Sequence, residues 1–576
     1  MAREFLDPAE LPREYPRRYL PPDLPAGEWS ALSPLFEDLQ KRPLASRKDL
    51  EQALLDLSEL LAAVEEEGAL RYIRMTCDTT DPAYERAYLE FLEGVVPRVE
   101  EALHRLRVRF THSPAWPDLP SARYEVLKRK WENAVRIFRE ENIPLKVEEE
   151  KLGQRYQKIF GAMTVEFEGR SQTLPQMAKY LEEPDRLLRE RAWELIAERR
   201  LRDKDEIEGI FEELLSLRER RAKNAGFENF RDYAFRERER FDYGPRECEE
   251  FHKGVEESFV PLLRLLHRER AKRLGLKRLR PWDLLVDPEG RPPLRPFAAP
   301  EDLVQGAGEI FRRLDPRLGQ LFQRMAELGL LDVANRPGKA PGGYQSTLTE
   351  RRLPFIFMNA VGRDQDLWTL LHEAGHAFHT LLSRDEPLHM YRDPPTEFAE
   401  VASMGMELLA SPFLDVFYPK EEDRKRSLAE HLYGIVRLVC WVATIDAFQH
   451  WLYTHPGHSR AERHKAWVEL FRRFGGLEDW SGYEEVLEHE WHRQLHLFLA
   501  PFYYIEYGIA QLGALTLWQK SQEDRAQALE GYVRALALGG SKPLPVLFAT
   551  AGLPFDFGPV PLARAAQALH RALSTA

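Results

Sequence analysis

Cysteine is nearly absent, with 3 in 576 residues. Cys77, Cys248 and Cys440 lie far apart and none falls in a C-x-x-C pair, so they support neither a disulfide framework nor a thiolate zinc site. Apolar neighbours mark Cys440 as a core residue. Long apolar runs are also missing, since none approaches the 18 residues or so of a membrane span. Gly434–Phe448 comes nearest, but it contains Arg437 and Asp446 and reads as a buried helix. The opening Met-Ala-Arg-Glu-Phe-Leu-Asp-Pro has no apolar signal-like region. There is no basic stripe either. The net charge is −12, with both signs interspersed in the 31% of residues that are charged, so the chain has nothing that would track phosphates. These absences predict a soluble, cytoplasmic protein with no membrane and no nucleic-acid partner. They leave the oligomeric state open.

What is present is a large core in helical dress. Hydrophobic residues make up 43% of the chain, enough for two or more lobes. Residues 1–45 are proline-rich and read as an irregular arm. A helix is predicted from Ser46, capped by Asp49, with Leu50, Leu54, Leu57, Leu61 and Val64 on one stripe and Gly68 as its end. Similar patterns fill 80–108, 120–141 and 146–160, and read as packed helical hairpins. Residues 164–173 alternate around Gly169 and predict a short β-hairpin. Charged helices are expected over 184–225 and 245–274, followed by a proline-rich linker over 276–300. Strand character appears in 342–349 and in Pro354–Val361. The second of these runs towards the next helix and offers an edge that could take up an extended peptide, or is simply a buried strand. In chain order this suggests an N-terminal helical lobe over 1–190 and a catalytic region over 191–576.

The most informative stretch is Leu367–His379. His372 and His376 stand four apart, which on a helix puts both imidazoles on one face, able to share one metal ion. Glu373 adjoins the first and can act as general base towards a metal-activated water. This is H-E-x-x-H, the zinc peptidase signature. Asp364 is a candidate N-cap, and Leu367, Leu370, Leu371, Ala374 and Phe378 recur at helical spacing as a buried flank. Gly375 costs about 1 kcal/mol relative to alanine inside a helix. A close backbone approach would justify that cost.

Catalytic zinc ordinarily takes three protein ligands. Downstream, a helix start at Pro395-Thr396 is followed by Glu397, Glu400, Ser403 and Glu407. Spacing alone does not choose between Glu397 and Glu400. A first-turn position near the positive end of the helix macrodipole already accounts for Glu397. Glu400, one turn deeper, is favoured as the third ligand, and Glu407 as the acceptor for the outer nitrogen of a ligating imidazole.

His-Glu-Ala-Gly-His-Ala-Phe-His, followed 24 positions after His376 by Glu400-Val-Ala-Ser403 with Glu407 beyond, resembles the thimet oligopeptidase and oligoendopeptidase F family of zinc peptidases. Pro281-Trp-Asp-Leu284, the strand into Met358-Asn359, and His496–Tyr507 extend the resemblance to the oligoendopeptidase F branch over roughly residues 50–570. It implies a mainly α fold, two helical lobes around a deep substrate channel with a small β-sheet near the site, one Zn²⁺ ion, and short peptides as substrates. His372, His376 and Glu400 would be the metal ligands and Glu373 the base. His496 and Tyr507 would serve the oxyanion, with Tyr504, Tyr503 and Asn359 also contacting substrate. Where thimet oligopeptidase has a glycine-rich loop this chain has Leu-Ala-Pro-Phe before its tyrosines, so Tyr503 competes with Tyr507.

The last stretch also has a physical reading of its own. Phenol hydroxyls are neutral donors suited to a developing oxyanion, and Gly508, Ala510 and Gly513 permit close helix packing. The expected reaction is hydrolysis of internal peptide bonds in short, flexible peptides. One rival keeps the fold but trims C-terminal residues. It is weakened because His489-Glu-Trp-His-Arg493 lacks the His-Glu-Ser-Gln-Ser element of the related carboxypeptidases. A catalytically silent peptide-binding scaffold is a second rival, yet no motif residue is lost.

Overall fold

The computed structural model describes residues 11 and 13–575. The protein is mainly α, with two small sheets. Residues 1–10 of the expected arm lie outside the described residues. The rest of that arm is not irregular throughout, because Trp29–Lys41 forms helix α1, burying Leu32, Phe36 and Leu39 around an internal Pro34. Helix α2 (Arg47–Cys77) starts as expected, with Ser46 and Asp49 exchanging hydrogen bonds in a capping box. Leu50, Leu54, Leu57, Leu61 and Val64 are all buried. Gly68 does not end it. A Cβ there would come within 2.9 Å of the Phe91 ring, so this glycine makes room for a neighbour instead of terminating the helix.

That neighbour is α3 (Pro82–Gly94), followed by α4 (Val96–Thr111). The single helix expected over 80–108 breaks at Val95 because Pro97 supplies no amide and crowds the preceding turn. Two more helices, α5 (Ser121–Ile137) and α6 (Asn142–Gly161), lead to the hairpin. It pairs β1 (Thr164–Phe167) with β2 (Arg170–Thr173) across Glu168 and Gly169, both at positive φ (52° and 74°), as a tight twisted turn demands.

Next come α7 (Arg186–Arg202), α8 (Lys204–Asn224), α9 (Pro245–Gly254) and α10 (Val260–Arg273). The proline-rich 276–300 stretch, expected to be a linker, does hold a boundary between compact units at Pro293/Leu294, and its first part is also anchored to this packing. Trp282 and Asp283 are buried, and Asp283 accepts from Arg189 Nη2 and Arg186 Nη2, both at 2.9 Å.

The second sheet was only partly foreseen. β4 (Tyr344–Leu348) and β5 (Leu353–Ala360) form the expected antiparallel pair, but β3 (Leu331–Ala334) adds parallel to the other side of β5. The order β3-β5-β4 makes β5 the central strand, with no edge to offer a peptide. Only β3 and β4 have one. Helices α11 (Asp364–Ser383), α12 (Thr396–Ala410), α13 (Glu421–Thr454) and α14 (Ile505–Glu523) follow. Among the described residues α13 alone is long and apolar enough to cross a membrane by length and composition, yet half of that apolar window is buried within the protein.

Two compact units divide the chain, each from three separate stretches. One comprises Met1–Arg136, Leu294–Ser427 and Gly513–Phe555, and the other Ile137–Pro293, Leu428–Leu512 and Asp556–Ala576. The units therefore interleave along the sequence.

Asp283→Ala tests the anchoring of the 276–300 stretch. Arg186 can turn to water, but the Arg189 side chain is 2% exposed and would be left as an uncompensated buried charge. A loss of about 3–5 kcal/mol in urea unfolding is expected. A loss below about 1 kcal/mol would show a true linker.

Candidate metal centre and active site

The helix carrying His372 and His376 starts at a buried anchor. Asp366 Oδ2 accepts from the backbone amides of Val361 (2.7 Å) and Arg363 (2.9 Å), so the N-cap is Arg363, its amide held by Asp366 from the first turn, and not Asp364. Asp364 instead accepts from the hydroxyls of Tyr418 and Ser427, tying the first turn to later chain. Leu367, Leu370, Leu371, Ala374 and Phe378 are fully buried, as their spacing predicts. The two imidazoles project from the same face with ring centroids 5.0 Å apart.

α12 crosses this helix at Gly375. A Cβ on Gly375 would sit 2.5 Å from the Ala402 carbonyl oxygen and 2.6 Å from Ser403 Cα, so only glycine permits the approach. The crossing carries Glu400 to the histidines. Its Oε2 lies 3.5 Å from His372 Nε2 and 3.7 Å from His376 Nε2. Ser403 Oγ donates to that same oxygen at 2.9 Å and fixes the carboxylate. Glu407 stands behind His372, 2.5 Å from Nδ1, where it accepts the Nδ1 proton and leaves Nε2 turned towards Glu400. Glu397 is buried in the first turn of α12.

The electrostatics divide the group. Burial pushes the Glu373 carboxyl up to about 7, with the His372 charge and the Gln345 backbone N–H pulling the other way. Burial also lowers His376, to about 4. His372 is held well above its ordinary value because hydrogen bonds and charge from Glu400 and Glu407 outweigh burial. Glu400 falls to about 2, burial being outweighed mainly by its bond from His372. The donor set fits a zinc ion. One imidazole has its outer nitrogen committed to a carboxylate, and two Nε2 atoms and a carboxylate oxygen lie within 4.8 Å of one another.

The other expected site residues fall into two groups. Asn359, at the end of β5, spends its amide donors on the carbonyls of Ala340 and Gly342 (2.8 and 2.9 Å), while its oxygen accepts from Asn335. Its visible work is to tie the 340–342 loop to the sheet. In the other unit His496, Tyr503, Tyr504 and Tyr507 form one aromatic cluster, with His496 centroids 5.6, 4.9 and 5.9 Å from the three phenol rings in turn. Tyr504 is the buried member, its phenol pushed up to about 12 by burial. Tyr503 and Tyr507 are partly exposed.

Sequence reasoning missed two supports. Trp441 Nε1 donates to Gln494 Oε1, and Gln494 Nε2 donates to His496 Nδ1, both at 2.8 Å. An indole N–H and an amide NH₂ can only donate. The chain therefore leaves the neutral His496 ring with its proton on Nε2, as a donor. Neither residue belongs to a motif, and their pairing spans distant sequence. The Gln345 amide beside Glu373 was equally invisible, because it depends on β4 lying along α11.

Residues 179–557 match Peptidase family M3, and residues 26–138 match the Peptidase M3 N-terminal domain. The chain belongs to peptidase family M3. Among curated relatives, Oligopeptidase PepF of Bacillus subtilis (strain 168) is 25% identical over 311 residues, 52% of this chain and 45% of that protein. An Oligoendopeptidase F homolog of Borreliella burgdorferi is 25% identical over 297 residues, 49% of this chain and 48% of its own length. The chain thus spans about half the length of the curated relatives it matches. Solved structures match along nearly all of it. PZ peptidase A with an inhibitor superposes with a TM-score of 0.88 at 28% identity, covering 97% of this chain and 99% of that one. A Bacillus anthracis str. Ames protein, provisionally described as an oligoendopeptidase F, gives 0.84 at 25% identity and 98% coverage of both chains. The helical fold expected from the motif resemblance is therefore the family's fold.

Two substitutions probe this M3 site. Gly375→Ala should force α12 away, costing about 1–3 kcal/mol of stability and weakening zinc binding at least tenfold in a competition titration. Unchanged zinc affinity would mean that the crossing does not set the ligand geometry. Glu400→Gln should strip zinc or weaken it by orders of magnitude, whereas Glu397→Gln leaves it bound. Wild-type zinc content in both variants, or loss only with Glu397→Gln, overturns the assignment.

Proposed function

We propose that this M3 peptidase is a zinc-dependent endopeptidase that hydrolyses internal bonds of short peptides. The observation that carries the reading is the convergence of two imidazole nitrogens and one carboxylate beside a buried glutamate whose carboxyl is pushed up to about 7. His372, His376 and Glu400 would hold the ion, with Glu407 and Ser403 orienting His372 and Glu400 from behind. Zinc would supply Lewis acidity, making a water easier to deprotonate and a peptide carbonyl more electrophilic.

The protein's own groups handle the proton. Glu373 takes one from the attacking water and returns it to the leaving amine, and a carboxyl near neutrality is suited to both transfers. The Gln345 backbone N–H beside it favours the ionised carboxylate against burial. Tyr507 and His496 are proposed as oxyanion donors on the motif resemblance. The Nε2–H tautomer that Gln494 imposes on His496 and the partial exposure of Tyr507 support that choice over Tyr504. Short peptides as substrates rest on the relatives, which are named oligopeptidases and oligoendopeptidases.

Glu373→Gln should keep zinc and peptide affinity but lose roughly 10³-fold or more in kcat, since it removes proton transfer and leaves the ligands intact. Mass spectrometry of a C-terminally blocked peptide digested by the wild type should show internal cleavage. Substantial turnover by the variant would assign the base elsewhere, and release of single C-terminal residues from free peptides only would make the protein a carboxypeptidase.

A further inference from the structure

A second cluster of metal-type donors lies in the other unit, buried among aromatic rings. α9 contributes Cys248 and His252 and α13 contributes Asp446 and His450, each pair four residues apart and so on one helical face. Donor atoms of Cys248, Asp446 and His450 all lie within 4.8 Å of one another, and the three residues are 0%, 0% and 7% exposed. His252 Nε2 lies 2.8 Å from Asp446 Oδ2 and donates to it. Phe235 and Phe502 meet the His450 ring edge-on, and Phe474 meets His252 in the same way.

This buried pocket contains atoms with unmet bonding capacity. Asp446 Oδ1 and both ring nitrogens of His450 make no hydrogen bond, although His450 Nε2 stands 3.3 Å from Asp446 Oδ2. Buried polar atoms are almost always satisfied, so orphans that converge with a thiol indicate a shared partner. Another histidine-rich group, Glu208 with His464 and His489, is a weaker case. Glu208 is already claimed by Arg463, His464 and His492.

We propose that Cys248, Asp446 and His450 bind a zinc ion whose fourth position takes a water, with His252 bracing the second oxygen of the aspartate. Thiolate and carboxylate together neutralise a divalent cation, so the complex buries no net charge. Sulfur, imidazole and carboxylate are all established zinc donors. Burial keeps the Cys248 thiol protonated in the absence of an ion. Coordination deprotonates such a thiol outright, and that proton leaves to solvent as the metal–sulfur bond forms. The cysteine spacing gave no hint of this, because a mixed site needs only one cysteine and draws its other ligands from a helix almost 200 residues away.

The test exploits the sulfur. The candidate catalytic set has none, and among the described residues no other cysteine belongs to a group of metal donors. The full-length protein is expressed in zinc-depleted, cobalt-supplemented medium, so that a buried site fills during folding. The expected result is an intense near-ultraviolet thiolate-to-cobalt charge-transfer band equivalent to one thiolate per chain. The band should persist in Glu400→Gln and vanish in Cys248→Ser, together with one equivalent of cobalt. Folded wild-type protein containing cobalt but lacking the band would overturn the proposal and leave the cluster as a hydrogen-bonded or hydrated core. So would a band that survives in Cys248→Ser. If that variant does not fold, the wild-type spectrum decides alone. Failure of the catalytic reading would appear separately, as a cobalt content in Glu400→Gln equal to that of the wild type.

Discussion

The candidate metal centre depends on one contact, the approach of α12 to α11 at Gly375. A glycine in mid-helix forfeits about 1 kcal/mol against alanine, and nothing within α11 offsets it. The compensation comes from outside the helix, because a Cβ would collide with the backbone of Ala402 and Ser403. Bringing the axes that close lets a side chain as short as glutamate span from one helix to two imidazoles on the other. It also puts Ser403 and Glu407 in register behind the ligands. Three donors from two helices are then held by packing, which is stiffer than any loop.

Once assembled, the same burial acts on neighbouring groups with opposite results. It raises the Glu373 carboxyl and lowers the His376 imidazole, because in each case it disfavours the charged form. Glu400 and His372 escape this through each other and through Glu407. One carboxylate is thereby kept ionised, while the next has its carboxyl pushed up to about 7. Separation of roles between adjacent acids by environment is a recurrent basis for acid–base chemistry.

Polar burial elsewhere follows the same accounting. Asp283 is buried with its lone pairs filled by Arg186, Arg189 and the Arg280 amide, and anchors a proline-rich segment. Asp446 is equally buried but has an oxygen left over, next to a thiol and to the His450 imidazole, whose Nε2 stands 3.3 Å from the other oxygen. The first pattern is complete as architecture. The second leaves capacity for a further partner.

Features of short range were legible in the sequence. The H-E-x-x-H spacing, the Ser46–Asp49 cap, the stripe along α2, the Glu168-Gly169 turn and the apolar flank of α11 all depend on residues within one or two turns of each other, where backbone geometry dictates the outcome. The sequence also narrowed the third ligand to two glutamates. Tertiary structure decided which of them stands beside the imidazoles. It made β5 a central strand, turned Gly68 from a helix end into a packing space, and drew Cys248 to Asp446. Each of these outcomes is a contact between segments far apart in the chain. Local periodicity says which face of an element is apolar, but not which distant element will cover it, and at Gly375, Gly68 and Cys248 the identity of the covering element is the whole of the answer.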